Sequence, residues 1–145
     1  MEITQIRDFN YGASNYSKKK IQPWDLWTLV CDPFRCDVIK RILRQKEGEL
    51  LDMRKVEHVL LKIKDLMGNG HVFLQYPFDH YGEWSEKYRD SVFAEEGYGN
   101  ACDKGVILDN MFKDPNDMSV IDESLGCVRR YIQRLEETEN SDKQN

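Results

Sequence analysis

Long apolar runs are missing from this 145-residue sequence. A membrane helix needs about 20 consecutive apolar residues, and no stretch approaches that, so a helical membrane span is excluded. Cysteine pairs at C-x-x-C spacing are missing too. Cys31, Cys36, Cys102 and Cys127 stand apart, as do the histidines His58, His71 and His80. That scatter supplies neither a zinc knuckle nor a redox dithiol, and no metal ligand set is assigned. The cysteines read as reduced thiols in a cytosolic protein. There is no G-x-x-x-x-G-K-S/T loop, which excludes a Walker-type phosphate cradle. There is no G-x-S-x-G turn, which excludes a serine hydrolase elbow. Met1-Glu2-Ile3-Thr4 opens no basic-then-apolar leader, so a secretory signal is not expected.

A hydrophobic share of 40% is too high for a disordered chain. The net charge of -5 argues against a protein that coats DNA. The charge is unevenly placed: residues 1–67 carry a net +3 and residues 68–145 a net -8. A locally positive half inside an acidic chain attracts a small anion and repels a long polyanion.

Periodicity predicts a mainly α fold. Pro23 suits the first turn of a short helix holding Trp24, Leu26, Trp27 and Val30. Asp32-Pro33 breaks it and starts a helix to about Lys46, with Val38, Ile39, Ile42 and Leu43 on one face. A second helix, Leu50 to Met67, stacks Val56, Val59, Leu60, Ile63 and Met67, and Gly68-Asn69-Gly70 ends it. Leu61 sits among its polar residues, as at a subunit contact. The two helices form a hairpin. Residues 71–76 are β-prone and predict one short strand before Pro77. A further helix is expected over Gly82–Glu95. Residues 97–117 read as loop, with Gly97-Tyr98-Gly99 as a turn. A last helix starts after a Ser119 cap, with Asp122 completing a capping box. From Thr138 the chain reads as a flexible tail. The whole is expected to be one domain over residues 1–137: a hairpin unit at 15–67, an acidic helical extension at 68–137, then the tail.

Chemistry points first to cations. Lys40 and Arg44 are i, i+4 on the polar face of the first long helix, so both heads can reach one anion. Arginine adds a fork matched to phosphate oxygens. Arg41 stands beside them, and His58 on the next helix can join across the hairpin. Trp24 and Trp27, i, i+3, read mainly as core closure. The other reading stacks them with Tyr16 on a base. Glu49-x-x-Asp52 and Glu83-x-x-Glu86 read as solvated surface rather than a magnesium site.

Asn15-Tyr16, Ile21-Gln22-Pro23-Trp24-Asp25, Val38-Ile39-Lys40-Arg41-Ile42-Leu43-Arg44 and Asp52-Met53-Arg54-Lys55-Val56 with His58 follow in order over residues 15–63. This stretch resembles the phage SaV-like family of small domains. Its pattern is a His-Tyr pair, an I-E-P-x-D turn, a helix reading G-N-x-I-K-Y-x-L-R and a helix reading D-L-x-K-A-x-x-Y-L. Asn15 stands for the histidine, Cys36-Asp37 for Gly-Asn and Arg41 for the tyrosine. Losing the histidine removes a proton carrier, which bears on catalysis more than on anion binding.

The resemblance implies a phage-type cytoplasmic nucleotide-binding protein. Some family members are nucleotide kinases without a Walker loop, so a nucleoside monophosphate kinase using ATP and magnesium is the enzymatic form. Lys40, Arg44 and Arg41 would then hold phosphate, His58 would orient oxygens, and Tyr16 and Trp24 would line the same site. No catalytic residue is assigned. The alternative is a non-enzymatic protein that sequesters a nucleotide signal or inhibits a host protein. Either form is compatible with a homo-oligomer.

Overall fold

The computed structural model describes residues 20–30, 32–43, 48–75, 77–99 and 102–144. The fold is mainly α, and among the described residues there is no strand. In chain order the elements are α1 (Pro23–Trp27), α2 (Pro33–Ile42) and α3 (Glu49–Gly68). Next comes α4 (His80–Glu83), which runs through a π-helical turn (Trp84–Tyr88) into α5 (Arg89–Glu96). Then follow α6 (Asp103–Asn110) and α7 (Met118–Gln144).

α2 begins where the sequence predicts it. Asp32 accepts the main-chain N–H of Arg35 at 2.8 Å, and Pro33 occupies the first turn. Val38, Ile39 and Ile42 are buried on one stripe, together with Arg35. The regular helix stops at Ile42, short of the expected Lys46; residues 44–47 lie outside the described residues. α3 buries Met53, Val56, Leu60 and Ile63. It closes as the Gly68-Asn69-Gly70 signal predicts. Gly70 takes φ 89°, its N–H reaches Met67 O at 3.1 Å, and His71 N–H reaches Leu66 O at 2.9 Å. Those two bonds are the paired closure of a left-handed helix stop, and glycine takes that φ without Cβ strain.

α3 is the centre of the molecule. α2 packs on one side of it and α7 along another, and α7 in turn packs on α6. α3 and α7 run antiparallel. Arg54 pairs with Glu136 at 2.9 Å, Glu57 with Arg129 at 2.9 Å, and Lys64 with Asp122 at 2.7 Å, so rising numbers on α3 meet falling numbers on α7. Those pairs are exposed and fix register more than stability. The apolar stripe of α7 beneath them (Ile121, Leu125, Val128 and Ile132) does the stabilising work. Each such side chain contributes about 1.5–3 kcal/mol on burial.

Several expectations are corrected. The strand at 71–76 does not form in its described part, residues 71–75. The alternation survives: Phe73 is buried, while Val72 and Leu74 are 74% and 79% exposed. A β-prone segment needs a partner ladder, and here one side chain replaces it. Asn116 accepts the Phe73 N–H at 2.7 Å and donates to the Phe73 carbonyl at 2.9 Å. Within the expected loop 97–117 lies α6. Its glycine is a packing choice: a Cβ on Gly105 would stand 3.2 Å from the Phe93 ring. Gly97 does end α5, with φ 73° and Tyr98 N–H bonded to Phe93 O at 2.9 Å. α7 starts one residue before Ser119, and its cap is Asp117, which accepts from Ser119 N at 3.0 Å and from Ser119 Oγ at 2.6 Å. Ser119 therefore donates rather than caps. Past Glu137, α7 continues as helix to Gln144 through the segment read as a tail.

Tyr98 joins α5 to the hairpin, its hydroxyl donating to Ile42 O at 3.3 Å. Burial, then the negative charge of Glu96, pushes its phenol far above the ordinary value. Tyr131 is raised in the same direction by burial and by its bond to Glu49. Above pH about 10 the unfolded chain releases phenolic protons that the folded chain holds. Stability is thus full below that pH and falls as pH climbs past it. Tyr98→Phe is expected to flatten the decline between about pH 10 and 12, measured by urea unfolding at stepped pH. An unchanged slope would count against this assignment.

Candidate functional site

The described motif pieces of the N-terminal half pack together, with α1 on α2 and α2 on α3. Pro23 sits in the first turn of α1, and the Asp25 carboxylate accepts the Gln22 main-chain N–H at 2.8 Å. This gives the Gln-Pro-x-Asp spacing a local purpose. Leu26 is buried, whereas Trp24 and Trp27 are 43% and 36% exposed. The core-closing reading of the two tryptophans is therefore corrected: in this five-residue helix Pro23 and Leu26 take the buried side.

Lys40 is exposed on α2. Arg41, next to it, is half-buried and held by two carboxylates. Its Nε meets Asp37 at 3.2 Å, and its NH1 meets Asp52 of α3 at 3.3 Å. Arg41 is thus a tie across the hairpin before it is an anion ligand. His58 is exposed on α3. Arg44 and Tyr16 lie outside the described residues. The structure brings Arg41 onto α3 through Asp52.

Among the described residues, no group of three or more His, Cys, Asp or Glu side chains is arranged to hold a metal ion. The carboxylates weighed for magnesium are engaged separately. Asp52 meets Arg41; Glu49 meets Lys104 at 2.5 Å and the Tyr131 hydroxyl; Glu83 meets Lys87 at 3.4 Å. Burial acts to raise the Glu49 carboxyl, but the hydrogen bonds from Lys104 and Tyr131 outweigh it and hold it below the usual range. Cys36, Cys102 and Cys127 are free thiols, with Cys36 and Cys127 pushed up by burial; Cys31 lies outside the described residues.

Two features escaped the sequence reading. Asp103, its side chain 6% exposed, is gripped by Arg130 at 3.1 Å and by Arg134 at 2.5 Å. Those arginines are i, i+4 on α7, the same spacing as Lys40 and Arg44, and that was the available signal. The second is a cavity of about 180 Å³ between the N-terminal end of α2 with Leu29 and Val30 before it, Gln75 with residues 78–81, and the turn 111–115. Arg35, 2% exposed, forms part of its wall. None of Lys40, Arg41, His58 or Trp24 lines it. No sequence signal predicts it, because its walls come from three separated stretches.

No family model, curated protein or solved structure matches the chain.

Proposed function

We propose that the α1–α3 unit binds a nucleotide through its phosphate, with Lys40 and Arg44 as the cations. The observation that carries the reading is the placement of Lys40. In the segment Val38 to Leu43 every apolar residue is buried, Arg41 is tied to Asp37 and Asp52, and Lys40 is exposed. Lys40 stands at the surface of that run, where a basic side chain meets ligand. Arg130 and Arg134 supply an internal precedent, since cations at this spacing already close on one carboxylate in the same protein. Trp24, exposed on α1, adds an aromatic surface on the same unit.

In the enzymatic form the protein transfers a phosphoryl group from ATP to a nucleoside monophosphate. Such transfer needs positioning and charge neutralisation more than covalent chemistry, which is what Lys40 and Arg44 supply. The carboxylates of the hairpin do not suit a magnesium cage, because Asp52 and Glu49 are taken up by cations. Magnesium would arrive on the phosphates of ATP.

A panel of nucleotides in a thermal-shift assay tests the binding. A ligand at about a hundred times its Kd stabilises by about 2.7 kcal/mol, a shift of several degrees. Lys40→Ala is expected to weaken a bound nucleotide about tenfold, in line with the loss of a hydrogen bond to a charged group. It should leave the unliganded melting point unchanged, because the side chain is exposed. No shift with any nucleotide sinks the proposal. ATP, magnesium and each deoxynucleoside monophosphate then separate a kinase from a binder that sequesters its ligand.

A non-enzymatic reading, inhibition of a host protein, draws on a separate observation. Val72, Leu74 and Phe78 are 74%, 79% and 71% exposed and lie close together in sequence. Exposed apolar side chains gathered this closely mark contact surfaces.

A further inference from the structure

We infer that the cavity beside α2 binds a flat, nitrogen-bearing aromatic ring of the size of one nucleobase, at a site separate from Lys40. Size comes first. A volume of about 180 Å³ equals the liquid share of about six waters, which is on the scale of one base and not of a whole nucleotide. The walls come next. Leu29, Met111 and Phe112 make an apolar side, and Phe78, 71% exposed, is an uncovered aromatic ring at the same cavity. A flat ligand there gains a stacking face and takes Phe78 out of water.

Charge decides the polarity of the ligand. Asp32, Asp79 and Asp114 all line the cavity, against only Arg35 and Lys113. Both cations are already engaged. Arg35 donates to Asp32 at 2.7 Å and to the Pro115 carbonyl at 2.7 Å. Lys113 pairs with Asp109 at 3.6 Å and lies 5.7 Å from the centre of the Tyr81 ring. Asp79 Oδ1 accepts the Gly82 N–H at 2.9 Å, and Asp114 Oδ1 accepts the Asn116 N–H at 2.9 Å. An ionised carboxylate has about four acceptor sites, so these two retain acceptor capacity after those bonds. The cavity therefore offers acceptors and lacks uncommitted cations. It suits a ring whose edge carries N–H donors and repels a phosphate. The side-chain chemistry gives the roles: Phe78 stacks, while Asp79 and Asp114 receive the donors.

The test is a two-dimensional amide NMR titration with adenine, with cytosine and, separately, with inorganic phosphate. Adenine or cytosine is expected to move resonances of residues 78–81 and 111–114, and phosphate is not. Phe78→Ala is expected to weaken the base about tenfold, the usual loss on removing a base-stacking aromatic. Asp79→Asn, which keeps a capping oxygen for α4, is expected to weaken it severalfold. Lys40→Ala should leave base affinity unchanged, so failure of the phosphate site and failure of this one are told apart. Phosphate moving the same resonances overturns the inference. So does a base that binds Phe78→Ala as tightly as the parent, or the absence of binding by both bases.

Discussion

Arg35→Met is expected to destabilise the protein by about 3–5 kcal/mol, the usual cost of removing one partner from a buried ion pair. In a chain of this size that lowers Tm by roughly 10 to 20 °C. Arg35 is 2% exposed and Asp32 8% exposed, and they meet at 2.7 Å. The second arm of the guanidinium holds the Pro115 carbonyl at 2.7 Å, and its plane stands 4.8 Å from the centre of the Phe73 ring. One side chain thus joins the start of α2, the extended segment after α3 and the turn before α7. Methionine retains the bulk but leaves the Asp32 carboxylate buried with its cation gone. The double variant Asp32→Asn/Arg35→Met separates the causes, because asparagine still caps the Arg35-position N–H without a charge. The double variant is expected to be more stable than Arg35→Met alone. Urea unfolding measures both. Equal destabilisation would mean that the loss comes from the Pro115 and Phe73 contacts and not from the stranded charge.

That joint also marks where sequence reading reaches its limit. Helices α2, α3 and α7 are legible because their information is local: apolar residues recur at three and four, and Asp32-Pro33 and Gly68-Asn69-Gly70 mark ends that the backbone obeys. Arg35 carries no such mark. A charged residue in the first turn of a helix normally faces water, and beside the nearby Asp32 it is residues 73 and 115, far along the chain, that complete its burial. The helix α6 is hidden for a related reason. Gly105 and the acidic and amide residues around it read as loop, and the need for glycine arises from the Phe93 ring lying against it. The unformed strand was a matter of missing partners. Propensity at 71–75 is real, but no second strand exists among the described residues, and Asn116 satisfies Phe73 instead.

The candidate site divides in the same way. Spacing puts Lys40 on the polar face of α2, and Lys40 is exposed there, because exposure follows from position on an amphipathic helix. It cannot rank Arg41, whose fate depends on Asp52 across the hairpin, although Asp37 four residues earlier was a visible partner. Trp24 and Trp27 look like core by residue type and are exposed because Pro23 and Leu26 take the buried side of a short helix. The cavity was illegible throughout, since a concavity is a property of distant segments meeting.

Trp84→Ala is expected to be the most damaging single core change, costing about 3–5 kcal/mol. Trp84 is fully buried, its ring stacks on Phe112 with centroids 4.2 Å apart, and it meets Phe93 edge-on at 6.4 Å. Its indole N–H donates to Asp109 at 2.9 Å. Asp109 also accepts from Tyr81 at 3.0 Å and from Arg89 at 3.2 Å, so one carboxylate ties α4, the π-helical turn and the start of α5 to α6. The π-helical turn begins at Trp84 itself. Such a turn costs regular hydrogen bonding, and the stacked, hydrogen-bonded indole offsets that cost. Alanine removes the stack and the donor together. Trp84→Phe distinguishes them: it keeps most of the apolar volume, leaves Asp109 with Tyr81 and Arg89, and is expected to cost about 1–2 kcal/mol, close to one lost hydrogen bond plus a small void. Calorimetric unfolding of both variants gives the comparison. If phenylalanine proves as damaging as alanine, the indole N–H to Asp109 holds this region; if phenylalanine is neutral, packing alone does.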